Sequence, residues 1–132
     1  MTVLFVDDEE HILSAIRRTF RSSGFRILVA NSAAAGLKAL ERDHVDVVVS
    51  DMRMPEMDGA QFLEQVATRW PHTVRVVMSG YADLASTMHA ITHGRIFRSI
   101  EKPSASADVQ RVITEGLAAQ ANRSSSTRPE PE

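Results

Sequence analysis

Residues 47–59 read VVVSDMRMPEMDG. Three consecutive valines form a β-branched run of the kind that fills a buried strand. The run breaks at Ser50 and Asp51 and passes into a turn rich in methionine and proline. A carboxylate at the mouth of an apolar strand has two readings. Asp is a common turn former and ends strands; it is also an oxygen nucleophile that a sheet edge can present. The stretch alone fits both, and the rest of the chain decides between them.

Four further apolar runs of similar length stand at 2–6 (TVLFV), 25–30 (FRILVA), 73–78 (TVRVVM) and 95–100 (RIFRSI), with VDVVV at 45–49 as the third in order. The first and third are almost continuously apolar, which suits parallel strands covered on both faces. Between them the apolar residues recur at helical spacing. Ile12, Leu13, Ile16 and Phe20 mark a first helix, and Ala33, Leu37 and Leu40 a second, capped at Asn31 or Ser32. Phe62, Leu63 and Val66 mark a third, ended by Trp70-Pro71. Leu84, Met88 and Ile91 mark a fourth between Asp83 and Gly94, and Val109, Val112, Ile113 and Leu117 a fifth. Strand and helix therefore alternate, which predicts an α/β fold with a parallel sheet and helices on both faces. One domain over residues 1–121 is expected, followed at 122–132 by NRSSSTRPEPE, read as a disordered tail or linker stub.

Composition narrows the classes. The chain has 132 residues, 15 basic and 17 acidic, for a net charge of -2, so no basic field draws it to nucleic acid or to an anionic membrane. No apolar run approaches the ~18 residues of a membrane span, and the start MTVLFVDDEE lacks the basic and apolar segments of a signal peptide. With no cysteine there is no disulfide framework and no thiolate site. A cytoplasmic globular protein is expected.

The chemistry lies at the strand ends. The first strand ends in Asp7-Asp8, the third in Asp51, the fourth in Ser79-Gly80, and the fifth reaches Lys102-Pro103. In an open parallel sheet all carboxyl ends share one edge, and ligands bind in the crevice there. With strand order 2-1-3-4-5, the polar-poor end of the second strand falls at the far edge. Three carboxylates brought together repel and raise one another's pKa. A hard divalent cation such as Mg²⁺ resolves that conflict with oxygen ligands. Adding the Lys102 ammonium, the Ser79 hydroxyl and Gly80 gives a pocket built for a phosphoryl group, with the Asp51 carboxylate as the nucleophile.

VLFVDDEE (3–10), VSDMRMPEMDG (49–59), VMSGYAD (77–83) and IEKP (100–103), in this order and spacing, resemble the receiver domain of two-component response regulators, over residues 2–121. The resemblance implies a flavodoxin-like sandwich of five strand-helix units. It implies that Asp51 accepts a phosphoryl group from a histidine kinase or a histidine phosphotransfer protein. Asp8, Asp51 and the backbone carbonyl of Arg53 would ligate Mg²⁺, with Asp7 acting through water. Ser79, Gly80 and Lys102 would form the phosphoryl pocket, the Lys102-Pro103 bond being cis as in the family. Arg53 and Tyr81 would lie at the pocket rim and govern access of hydrolytic water. The implied outcome is a conformational shift that controls an output domain or target protein, with self-catalysed phosphorylation and dephosphorylation and no separate substrate. A homodimer through the fourth helix, fifth strand and fifth helix is also implied. Residues 79–103 are further reminiscent of receivers placed ahead of cyclic-di-GMP-hydrolysing domains.

One position departs from the family pattern: Ser99 stands where a Tyr or Phe usually precedes the lysine by three residues, and Phe97, two residues away, is expected on the same strand face. Among rival readings, a pseudo-receiver would use the same fold as an unphosphorylated interaction module. A flavin carrier is disfavoured by the acidic first loop, and an aspartyl phosphatase by Arg53 where a second aspartate is needed. His89 and His93 have the spacing of a metal pair but lack a third ligand.

Overall fold

In the computed structural model the described residues are 1–80, 96–101 and 106–126. They form β1 (Thr2–Val6), α1 (Glu10–Thr19), β2 (Arg26–Ala30), α2 (Ala33–Arg42), β3 (Val47–Asp51), α3 (Gly59–Arg69), β4 (Val74–Ser79), β5 (Arg98–Glu101) and a C-terminal helix (Ser106–Ser126). The strands make one sheet in the order β2-β1-β3-β4-β5, every neighbouring pair parallel, as expected from the alternation. The expected fourth helix, with Asp83, His89, His93 and Gly94, lies outside the described residues.

The strands alternate side chains between two cores, as their period of two requires. Leu4, Val6, Val48 and Val77 point to one face and pack with Ala33 and Leu40 of α2 and Phe62, Leu63 and Val66 of α3. Val3, Phe5, Val47, Val49, Val74 and Val76 point to the other, against Leu13 of α1 and Val109, Val112, Ile113 and Leu117 of the C-terminal helix. Phe20, just past α1, stacks on Phe5 at 5.6 Å between ring centroids. The result is a three-layer sandwich with β1 and β3 buried along their whole length.

Local chemistry sets the helix limits. Ser32 is the cap of α2, its side chain accepting the Ala35 N–H at 3.1 Å. Trp70 closes α3, its ring covered by the Arg69 guanidinium. The C-terminal helix continues to Ser126, past Asn122, where the composition turns polar. Once a helix is nucleated each further residue adds its own hydrogen bond, and Ser and Arg do not block that as proline would; residues 127–132 lie outside the described set.

One expectation is corrected. Phe97 does not share the face of Ser99. It sits at a bend before β5 and packs into the core of the C-terminal helix, 3.9 Å from the position a Cβ on Gly116 would take. Because β5 begins only at Arg98, the alternation that would have linked residues 97 and 99 does not yet apply.

Candidate functional site

The carboxyl ends of β1, β3 and β4 carry the described part of the site. Beyond Val6 the chain stays tied to β2, the Asp7 N–H donating to Ala30 O at 3.1 Å. Asp7 is 4% exposed, and its Oδ1 accepts the Glu9 N–H at 2.9 Å, an Asx-type turn that swings the chain into α1. Asp8, between them, is exposed. The two neighbouring carboxylates thus have different jobs available: Asp7 is engaged by the backbone, and Asp8 faces water.

Asp51 is the last residue of β3 and is 8% exposed. One oxygen from each of Asp7, Asp8 and Asp51 lies within 4.8 Å of the others. An octahedral Mg²⁺ holds oxygens at about 2.0–2.1 Å, so its ligand pairs span up to about 4.2 Å. A small closure, or a water in place of one direct ligand, fits the ion to this set. The donors are hard carboxylate oxygens without nitrogen or sulfur, which favours Mg²⁺ over softer metals.

Two features hold Asp51 from behind. Ser50, with 0% exposure, donates its Oγ–H to Asp51 O at 3.0 Å. Gly59, the first residue of α3, donates its N–H to Met52 O at 2.8 Å. The helix start is fixed by a capping box, Asp58 Oδ1 accepting the Gln61 N–H at 2.9 Å and Gln61 Oε1 the Asp58 N–H at 3.1 Å. Neither Ser50 nor Gly59 stood out in the sequence as a site residue. The serine that interrupts a valine run and the DG preceding a helical pattern were the available signals.

Asp51 is level with Met78 of β4, so Ser79, at 8% exposure, stands one residue further towards the open edge, followed by half-buried Gly80. Arg53 is exposed on the loop after β3, while its neighbours Met52 and Met54 are buried in the α2–α3 core, where they serve packing. Lys102, Pro103 and Tyr81 lie outside the described residues. The site therefore unites Asp7, Asp8 and Asp51 in one acidic cluster, with Ser79 and Gly80 on the adjacent strand end.

The family model described as the response regulator receiver domain matches residues 3–114. The chain is 41% identical over 102 residues to the hydrogenase transcriptional regulatory protein HoxA of Cupriavidus necator, covering 77% of this chain and 21% of that protein. It is 32% identical over 101 residues to the transcriptional regulatory protein GlrR of Escherichia coli, covering 76% of this chain and 22% of that protein. The match thus spans about a fifth of the length of these curated relatives. Among solved structures, an uncharacterized protein from Neptuniibacter caesariensis superposes with a TM-score of 0.90 at 43% identity, over 98% of this chain and 96% of that one. The signal receiver domain of an HD domain-containing protein from Pseudomonas fluorescens Pf-5 does so with a TM-score of 0.88 at 28% identity, over 92% of this chain and 97% of that one.

Proposed function

Because the chain belongs to the response regulator receiver domain family, we propose that it accepts a phosphoryl group on Asp51 and switches conformation in response. The observation that carries this reading is the convergence of the Asp7, Asp8 and Asp51 carboxylates at the end of the central strands. An acidic cluster at the sheet edge that holds the family's acceptor position is the arrangement a cation-assisted phosphoryl transfer needs.

In the proposed reaction a carboxylate oxygen of Asp51 attacks the phosphorus of a phosphohistidine on a histidine kinase or phosphotransfer protein. The new O–P bond makes an acyl phosphate, and the P–N bond breaks with its electron pair returning to the imidazole. Asp8, Asp51 and the Arg53 backbone carbonyl would hold Mg²⁺ directly and Asp7 through water; when bound, the ion offsets the charge of the carboxylates and phosphoryl oxygens. Ser79 would donate its hydroxyl hydrogen to a phosphoryl oxygen, and Gly80 would leave room for the group to enter. Lys102 would pair with another phosphoryl oxygen. The side chains of Arg53 and Tyr81 would stand at the rim and slow the approach of hydrolytic water.

The domain turns over no separate substrate in this reading; it catalyses its own phosphorylation and slow dephosphorylation. The switch is a local charge change biasing a two-state element, passed to an output domain or target protein. A homodimer through the Leu84–Ile91 segment, β5 and the C-terminal helix is one route for that readout. No helix among the described residues is long and apolar enough to cross a membrane; from its family the domain would act in the cytoplasm.

Beryllofluoride binding tests the reading. It mimics the acyl phosphate, and a bound ¹⁹F resonance is expected that requires both Mg²⁺ and Asp51. Absence of that resonance in the wild type, or its persistence in Asp51→Asn, would contradict the assignment.

A further inference from the structure

Where β3 meets α3, backbone packs directly on backbone. A Cβ built on Gly59 would lie 2.2 Å from the carbonyl oxygen of Asp51, 2.8 Å from Met52 Cα and 3.0 Å from the Asp51 carbonyl carbon. Cβ is fixed to the backbone, so no rotamer relieves such an overlap; either the start of α3 or the Asp51–Met52 peptide must move. Both are restrained. The Asp58–Gln61 capping box holds the helix start, with bonds of 2.9 and 3.1 Å. On the other side, the Met52 N–H is bound to Met78 O at 2.9 Å and Asp51 O takes the Ser50 hydroxyl at 3.0 Å.

Gly36 gives the contrast. A Cβ there would approach Phe62 ring carbons at 3.0 Å and Val6 Cγ2 at 3.1 Å. Those are ends of side chains in the α2–α3 core, which can yield by small rotations, and they are not part of the acidic cluster. Crowding at residue 36 costs stability; crowding at residue 59 acts on the peptide that carries the reactive carboxylate.

We propose that Gly59 is a positioning residue for Asp51: the bare start of α3 fixes where the Asp51–Met52 peptide lies, and through it where the Asp51 carboxylate meets Asp7 and Asp8. The inference rests on the reading of Asp51 as acceptor and metal-binding group. Displacing a supporting group of a metal ligand typically weakens the metal by about ten- to a hundredfold, so the effect should exceed any change from a remote core substitution.

The test is Mg²⁺ titration by isothermal calorimetry of the wild type, Gly59→Ala and Gly36→Ala, each confirmed folded by cooperative unfolding. Gly59→Ala is expected to bind Mg²⁺ at least about tenfold more weakly, whereas Gly36→Ala, although less stable, keeps wild-type affinity. Wild-type affinity in Gly59→Ala, or an equal loss in Gly36→Ala, would overturn the proposal. If the wild type itself fails to bind Mg²⁺, the acceptor reading falls and this inference with it. Should Gly59→Ala not fold, Asp58→Ala decides, because it loosens the start of α3 without adding an atom at residue 59. A several-fold weaker Mg²⁺ affinity in that folded variant supports the positioning role, and an unchanged affinity refutes it.

Discussion

Met78 O accepts the backbone N–H of Met52 at 2.9 Å, so the β3–β4 ladder runs one residue past Asp51. That extra rung locks β3 to β4 and sets Ser79 one residue beyond the level of Asp51 by backbone bonding. Removing one preorganised donor to a developing oxyanion costs about a hundredfold or more in rate. Ser79→Ala is therefore expected to slow phosphoryl gain from a small phosphodonor by about that factor, read by intact mass against time. Ser79→Thr keeps the donor and should stay within several-fold of wild type.

One oxygen from each of Asp7, Asp8 and Asp51 lies within 4.8 Å of the others, and like charges so close repel one another. Asp8→Asn should therefore raise the thermal midpoint in the presence of a chelator. Mg²⁺ should raise the wild-type midpoint, with a stabilisation of about 2.7 kcal/mol at a hundred times its dissociation constant. The same addition should leave Asp51→Asn nearly unmoved. Thermal melts with and without Mg²⁺ check both signs.

Glu56 has φ 71°, the one described non-glycine residue in the left-handed region. A side chain there costs roughly 1–2 kcal/mol, partly offset in any glycine variant by the greater freedom of its unfolded chain. Glu56→Gly should stabilise the domain by about 0.5–1 kcal/mol, a rise of a few degrees in the midpoint. Glu56→Ala should give no such gain, since it keeps the Cβ.

Gly36 and Phe62 are packed so closely that a methyl group at residue 36 must displace the ring. Overpacking a tight core costs about 1–3 kcal/mol, partly offset here by the roughly 1 kcal/mol that alanine gains over glycine inside a helix, so Gly36→Ala is expected to destabilise by up to about 2 kcal/mol. Adding Phe62→Leu should cost less in that background than in the wild type, because the clash is relieved. A double-mutant cycle by chemical denaturation measures the difference.

Much of this was legible in the residues, and the exceptions have physical causes. The strands were readable because valine runs alternate with helical spacing. Their exact limits shifted by up to three residues, as at β5, and at β3 because Val45 and Asp46 are buried just outside the strand. Burial of Asp46 depends on the distant Thr2 N–H, bound to its Oδ2 at 2.8 Å, which no local pattern encodes. Arg75, inside β4, is buried with its guanidinium donating to Thr73 O at 2.8 Å, a solution visible only once the chain has turned. The clustering of Asp51 with Asp7 and Asp8 was legible because these residues end neighbouring strands. The close approach of Gly59 to the Asp51–Met52 peptide was not, since it depends on how two backbone segments meet. Phe97 was placed on the wrong face because period-two alternation was extended past the start of β5.

Phosphorylation of Asp51 is the step from which the rest of the proposed function follows. Intact mass spectrometry after incubation with a small phosphodonor and Mg²⁺ tests it. The wild type is expected to gain the mass of one phosphoryl group, omission of Mg²⁺ to suppress the gain, and Asp51→Asn to show none. A wild type that stays unmodified, or an Asp51→Asn variant that gains the same group at the same rate, would contradict it.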